Sequence, residues 1–588
     1  MMHGWRGISW RKLEIAVFKL QTRIYRASSR GDSKTVHRLQ RLLLKSHDAA
    51  LLAVRRVTQE NQGRHTAGVD GRASLAPRER MELAATIWSD PYSTRVRALR
   101  RVWIPKPGKA EKRPLGIPAM EDRARQALVK LALEPEWEAK FEPNSYGFRP
   151  GRSCHDAIEA IYRQVRLLPK WVLDADIAGC FDNINHEALI EKLGTFPKLQ
   201  RVIKAWLKSG ILDNGHLFPT SQGTPQGGVI SPLLANIALH GMEADVRKAF
   251  PKNVPLRGAG RYVKGQPVVI RYADDFVVLH RDRETIERAQ AIIAEWLGRM
   301  GLEMKPSKTR IVHTLEEHDG EVGFEFLGFH IRQYPRGRST CMRIPRTGEP
   351  LGFTPSIRPS KESQRRLLQN VREIVRSNRA VSQERLIALL NPVIRGWGNY
   401  FSKVVSQDIF RRLDALIFVK LKAWAYHRHP NKGRCWIVAK YWSFSRDRRW
   451  VFGIADKIKL IYLAEIPIRR HIGLRTGKSP YDGDWVYWSE RLGQYPSIPK
   501  SVAIRLRMQR GKCSHCGLYF CSDDDLRLLH LDGDGRNFHR DNMALVHRRC
   551  ATTMTGRVSM THQIAEEPYE GKLSRTVLKT STDGDVRA

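Results

Sequence analysis

Two aspartates stand side by side at Asp274-Asp275, between the apolar runs Val268-Val269-Ile270-Arg271-Tyr272 and Phe276-Val277-Val278-Leu279-His280. Such runs read as β-strands, and their short connection makes a hairpin with both acids at its tip. Carboxylates flanked by apolar strands are costly unless something positive meets them. A third acid, Asp176, ends another apolar run, Trp171-Val172-Leu173-Asp174-Ala175-Asp176-Ile177. Three carboxylates converging from two strands hold Mg²⁺ through oxygen. Two such ions stabilise the attacking and leaving oxygens of an in-line phosphoryl displacement, the chemistry of nucleotide addition. An isolated Asp-Asp also fits a plain polar turn. Two features favour the chemical reading: Gly179-Cys180-Phe181-Asp182 just after Asp176, and the cluster Gly223-Thr224-Pro225-Gln226-Gly227-Gly228 between the two acid motifs.

A second constellation lies near the other end. Cys513-Ser514-His515-Cys516 is followed after about thirty residues by His547-Arg548-Arg549-Cys550. Two ligand pairs at that spacing read as a structural Zn²⁺ site of Cys513, Cys516, His547 and Cys550, against the alternative of merely buried cysteines.

The composition says what these sites would act on. The 101 Lys+Arg exceed the 60 Asp+Glu by 41, and the excess runs through most of the 588 residues. So basic a surface implies a polyanionic partner, because each neutralised phosphate releases counterions. No apolar run is long enough for a membrane span, and the N-terminus is not that of a signal peptide. A cytoplasmic, reducing setting is therefore expected, where nucleoid association is an option and the 8 cysteines serve as core residues or metal ligands.

The elements that must position these groups follow from periodicity. The length suggests roughly three to five domains. Residues 1–60 read as a basic helical N-terminal extension, with apolar residues at helical spacing from Trp10 to Tyr25 and Val36 to Val54. Residues 61–340 alternate strand and helix patterns, an α/β (α+β) reading, and Arg101–Pro105 is a further strand. From about 355 to 430 the pattern is helical and basic, without a strong strand signal. Residues 431–504 are basic and rich in aromatics, including Trp436, Trp442, Trp450, Trp485 and Trp488. Residues 505–556 carry the Cys/His punctuation. Residues 557–588 form a polar tail expected to be poorly ordered.

Taken in order, these blocks resemble the reverse transcriptase/maturases encoded by bacterial group II introns. The resemblance begins at Ala53–Val57 and Thr66–Gly71. It continues through Arg101–Lys106, Lys112–Pro118 and Asn144-Ser145-Tyr146-Gly147-Phe148-Arg149-Pro150. The first acid block, Gly223 to Asn236 and Tyr272-Ala273-Asp274-Asp275 follow, and Gly301–Thr309 with Phe326-Leu327-Gly328-Phe329 closes the series. The resemblance implies a right-hand polymerase fold: fingers and palm over 61–340, a helical thumb or maturase region over 341–430 and a DNA-binding region over 431–504. It implies that Asp176, Asp274 and Asp275 hold Mg²⁺, with Asp176 preferred to Asp174. Lys106 and Arg113 would hold the incoming deoxynucleoside triphosphate, and Phe181 would close off the sugar 2′ position. Gln226 would contact nucleotide or template, and Lys308 would serve as general acid for the departing pyrophosphate. Implied partners are intron RNA, an RNA template-primer and target DNA, in splicing and target-primed reverse transcription.

The Cys/His segment is similar to a ββα-type HNH endonuclease module, with His530 near the general-base position and Asn542 at the middle Asn. Two positions depart from that pattern. Leu529 and Ala551 stand where metal-binding residues are usual, while Asp532, Asp534 and His539 lie nearby in sequence. The expectation is a folded zinc module with weak or lost strand cleavage. Two alternatives share the polymerase blocks: a group II-like reverse transcriptase taken over for a host role, and a splicing factor that only binds RNA.

Overall fold

A computed structural model describes residues 4–105, 112–256, 261–445, 448–454, 457–521, 523–532, 534, 536–537, 539–554 and 560–563. Lys106 and most of the 557–588 tail lie outside the described residues.

The N-terminal stretch forms helices Trp10–Ser29, Ser33–Leu44 and His47–Arg55. Asp32 caps the second by accepting from the Thr35 amide, and Ser46 caps the third by accepting from Ala49. All three pack on Met120–Lys140, a helix buried along most of its length. Gln40 Nε2 donates to Glu136 Oε2 (2.6 Å) there, giving the buried acid a donor.

The palm is an antiparallel sheet in the order Arg310–His313, Trp171–Asp176, Asp275–His280, Val268–Tyr272. Successive strand side chains face opposite ways. Leu173, Ala175, Val269, Phe276 and Val278 accordingly enter one core with helix Arg283–Arg299. Val172, Ile270, Val277, Leu279 and Val312 enter another, shared with helix Cys154–Val165 and the thumb. Burial on both faces explains why these strands read as unbroken apolar runs. The fingers sheet runs Lys112–Ile117, Leu99–Pro105, Ile211–Asp213, His216–Phe218.

Two sequence expectations are corrected. The segment read as helical from about 355 begins with a strand, Phe353–Pro359, which pairs residue by residue with Phe329–Pro335. It lies at a sheet edge, the one place in a sheet where Pro355 and Pro359 are tolerated. Helices Lys361–Ser377, Gln383–Phe401 and Gln407–Arg428 then follow. The boundary at 430/431 also cuts through a packed unit. Tyr441, Trp442 and Phe452 are buried in the same core as Leu390 and Trp424 of the preceding helices.

The chain then returns to helices Met120–Lys140 and Cys154–Val165. Tyr481 Oη donates to Glu134 Oε2 (3.0 Å), and Trp488 is wholly buried against Gly151, where a Cβ would come within 2.5 Å of its ring. Asp156 accepts from His471 Nε2 (2.9 Å), the Leu474 amide (3.0 Å) and Arg491 Nη2 (2.5 Å). Residues 471–491 are thereby strapped to the start of helix Cys154–Val165. The last module runs strand Leu526–His530, strand Met543–His547 and helix Arg548–Met554, with a further strand, Met560–Gln563, beside the first.

Candidate active site and metal centre

Strand register brings the three acids together. Asp176 is the cross-strand partner of Asp275, and Asp275 closes the hairpin against Tyr272. The turn between the strands is only Ala273 and Asp274, with Ala273 left-handed at φ 60°. Asp274 O accepts from the Ile177 amide (3.4 Å), tying the turn to the end of the Asp176 strand. Burial raises Asp274 above the usual carboxylate range, and the charge of Asp176 adds to it. Burial, then the charges of Asp274 and Asp176, push Asp275 up to about 7. Like charges held this close, half out of water, repel unless cations complete the site.

Cations of the chain already lean on it. Lys308, at the end of the short helix Pro306–Lys308, forms an ion pair with Asp176. Burial alone would lower the Lys308 ammonium, but the bond to Asp176 holds it above its ordinary value. Arg113, exposed on the fingers hairpin, acts on Asp274 in the sense opposite to the neighbouring acids. Asp174 is differently engaged. Its Oδ2 accepts from Arg310 Nε (3.1 Å), and Arg310 also pairs with Glu321. Burial pushes Asp174 up to about 6 against that Arg310 charge. The acid facing Asp275 is therefore Asp176, and Asp174 is bound to an arginine.

Phe181 lies on a one-turn helix, Cys180–Asn183, edge-on to Phe148 with ring centroids 6.0 Å apart. The glycine cluster wraps around it. The Gly223 amide donates to Ile184 O (2.8 Å), and a Cβ on Gly223 would fall 2.5 Å from Asp182 O. Gln226 bridges fingers and palm. Its Nε2 donates to Asp182 Oδ2 (3.3 Å), and its carbonyl accepts from the Gly116 amide of the fingers hairpin (2.7 Å). Phe181, Gln226, Lys308, Arg113 and the three acids thus border one region between fingers and palm.

In the C-terminal module, ligand atoms of Cys513, Cys516, His547 and Cys550 all lie within 4.8 Å of one another. His547 Nδ1 faces Cys516 Sγ at 3.4 Å and Cys550 Sγ at 3.9 Å. Its Nε2 faces Asp524 Oδ2 at 3.3 Å. A carboxylate on the far nitrogen fixes the tautomer and raises the basicity of a metal-binding histidine, so the donor set fits Zn²⁺. Asp524 carries no sequence signal, since it becomes a neighbour only through folding. His530 is fully buried, with Nδ1 bonded to Asn537 O (2.9 Å). Asn542 clamps the preceding loop, its Nδ2 donating to Asp532 Oδ1 and Asn537 O, each at 2.8 Å. Leu529 and Ala551 are fully buried in the module's apolar core.

Three family models match in chain order. "N-terminal domain of reverse transcriptase" matches residues 5–87 and "Reverse transcriptase (RNA-dependent DNA polymerase)" residues 104–331. "Group II intron, maturase-specific domain" matches residues 364–442. Protein YkfC of Escherichia coli is 32% identical over 359 residues, covering 56% of this chain and 91% of YkfC. The group II intron-encoded protein LtrA of Lactococcus lactis is 41% identical over 170 residues, 28% of each chain. Maturase-like protein 1 of Euglena gracilis is 28% identical over 443 residues, covering 73% of this chain and 83% of that protein. No helix among the described residues is long and apolar enough to cross a membrane. The chain belongs to the reverse transcriptases that carry a group II intron maturase domain: an RNA-directed DNA polymerase and maturase.

Proposed function

We propose that this chain performs two-metal nucleotidyl transfer with Asp176, Asp274 and Asp275, in the splicing and mobility of a group II intron by target-primed reverse transcription. The observation that carries the catalytic assignment is the direct pairing of Asp176 with Asp275, beside a turn that adds Asp274. Their mutual repulsion is the electrostatics of a site completed by cations. Mg²⁺ held there would supply Lewis-acid stabilisation of the reacting phosphoryl oxygens. Arg113 of the fingers hairpin and, by the resemblance, Lys106 orient the triphosphate, Arg113 as a planar fork and Lys106 as a point charge. Phe181 and Gln226 bound the sugar and base side of the nucleotide. Lys308 Nζ stands next to Asp176 and can give a proton to the departing pyrophosphate.

Primer extension on an RNA template tests the assignment. Mg²⁺-dependent synthesis by the wild type and its loss in Asp274→Ala are expected; full activity in that variant would refute the site.

For the C-terminal module the favoured role is a Zn²⁺-stabilised DNA-binding unit of HNH type with weak or lost cleavage. What supports this is the burial of Leu529 and Ala551, which leaves those positions without metal donors. Incubation of the protein with target DNA and Mg²⁺ checks it, and a nick abolished by His530→Ala would overturn it.

A further inference from the structure

The metal-holding acids do not account for two sequence blocks, Asn144 to Ser153 and Leu233 to Asn236. Gly147 of the first abuts Ala273, and Asn236 of the second bonds both Gly147 and Arg271. Ala273 is left-handed, a conformation that L residues other than glycine avoid because Cβ crowds the following carbonyl, and alanine has no polar side chain to offset this. Something else must hold it.

Arg271 does so from beneath. It is 3% exposed, and its Nη1 donates both to Ala273 O (3.1 Å) and to Asn236 Oδ1 (3.0 Å). Asn236, 1% exposed, donates through Nδ2 to Gly147 O (2.8 Å). The backbone closes the ring, because the Arg271 amide donates to Asn144 O (3.0 Å) and the Tyr146 amide donates to Arg271 O (2.9 Å). Gly147 sits directly under the turn. A Cβ there would fall 2.3 Å from the Ala273 nitrogen. No ion pair of Arg271 is formed among the described residues; its guanidinium is directed to an amide oxygen and to the turn carbonyl. The charge of Glu142 offsets part of the cost of burying this guanidinium, while its hydrogen bonds go to the amide oxygen and the turn carbonyl, which fits a part whose use is geometric.

We propose that Arg271, Asn236 and Gly147 are positioning residues that hold Ala273 left-handed and so fix where the Asp274 and Asp275 carboxylates stand. None reaches substrate; each acts through the turn. The inference rests on Asp274 and Asp275 being the metal-holding acids, and Asp274→Ala tests that separately.

The test is primer extension by the full-length protein on an RNA template with a DNA primer, deoxynucleotides and Mg²⁺. Asn236→Ala should lower kcat by about 10- to 100-fold, the effect of a small misplacement of reacting groups. The deoxynucleotide KM should stay within about twofold, since ground-state binding is untouched. The Mg²⁺ concentration for half-maximal rate should rise. Adding Ala273→Gly to Asn236→Ala should recover about fivefold or more, because glycine adopts the left-handed region without steric cost. A loss of general stability would not be repaired by glycine at that one position. Wild-type kcat in Asn236→Ala, or a loss that Ala273→Gly leaves unchanged, overturns the proposal. If Asn236→Ala does not fold, Gly147→Ala carries the same test, since it displaces Ala273 while leaving the side-chain bonds their donors and acceptors. Full activity in Gly147→Ala would then be the refuting result.

Discussion

The palm hairpin and the C-terminal module present the same kind of material, acids and histidines at family-like spacing, and use it in opposite ways. At the palm, three carboxylates face one another with burial and repulsion raising two of them, and Lys308 and Arg113 lean in from outside. In the C-terminal module, Asn542 is committed to the Asp532–Asn537 loop, and His530 is buried with Nδ1 on a carbonyl. Leu529 and Ala551 are buried in apolar core. The contrast teaches that a motif is read by what its polar atoms are left to do. Carboxylates held together without mutual satisfaction are poised for a ligand, whereas groups bonded to their own loop are building material.

The comparison can be broken most directly at the palm. Asp274→Ala should cut primer extension by about a thousandfold or more, since it removes an acid proposed to hold the metals. Retained activity would place the chemistry elsewhere. Next in size is the cluster of Cys513, Cys516, His547 and Cys550, proposed to hold Zn²⁺. Cys513→Ser, or treatment with a zinc chelator, should leave residues 505–556 open to protease while primer extension persists, because binding energy at such a site is folding energy. A chelator-resistant module would remove the case for Zn²⁺.

The strap between the halves gives a smaller effect. Asp156 has a fully buried side chain, and the bonds and charges of His471 and Arg491 hold it well below the usual carboxylate range despite burial. A lowered folded value contributes stability above the unfolded pKa that is lost as pH falls through the folded one. Asp156→Asn should cost about 3 kcal/mol. It should expose residues 471–491 to limited proteolysis at neutral pH, and wild-type protection would contradict the strap.

Smaller still, and opposite in sign, is Glu243. Burial, then the charge of Glu142, push it up to about 7, although Asn144 Nδ2 donates to it (2.8 Å). A raised folded value means the native state binds more protons between about 4 and 7, so Glu243 lowers stability as pH rises across that window. Glu243→Gln should therefore stabilise by about 1–2 kcal/mol at pH 8 and by little at pH 5. Denaturant midpoints at the two pH values would show it, and an equal gain at both would refute the cause. The smallest effect belongs to His530→Ala in a DNA-nicking assay, where no change from a wild type that does not nick is expected.

Legibility followed the range of the interactions. The three strands that carry or flank the acids, the separate strand at Arg101–Pro105, and the Cys513/Cys516 and His547/Cys550 pairs were legible, because each is a short run with its own periodicity or spacing; the palm strand Arg310–His313 was not read. The strand Phe353–Pro359 was not, since its pairing partner is the separate run Phe329–Pro335 and its two prolines argue against a strand locally. The tryptophans of 431–504 read only as part of one basic, aromatic-rich DNA-binding region. Instead Trp442 and Trp488 are buried, while Trp436 and Trp450 stay 42% and 46% exposed. Composition cannot separate the two fates, because an aromatic serves equally in a core and on a binding face.

The amino-acid sequence by itself determined that three acids end or join apolar strands, that three cysteines and a histidine come in two pairs, and that the chain is strongly cationic. These are properties of chemistry and local spacing. Only the tertiary structure decided that Asp176 rather than Asp174 meets Asp275, that Asp524 backs His547, and that Arg271, Asn236 and Gly147 close beneath the Ala273–Asp274 turn. Those choices depend on strand register and on contacts between residues distant in the chain, which no local pattern encodes.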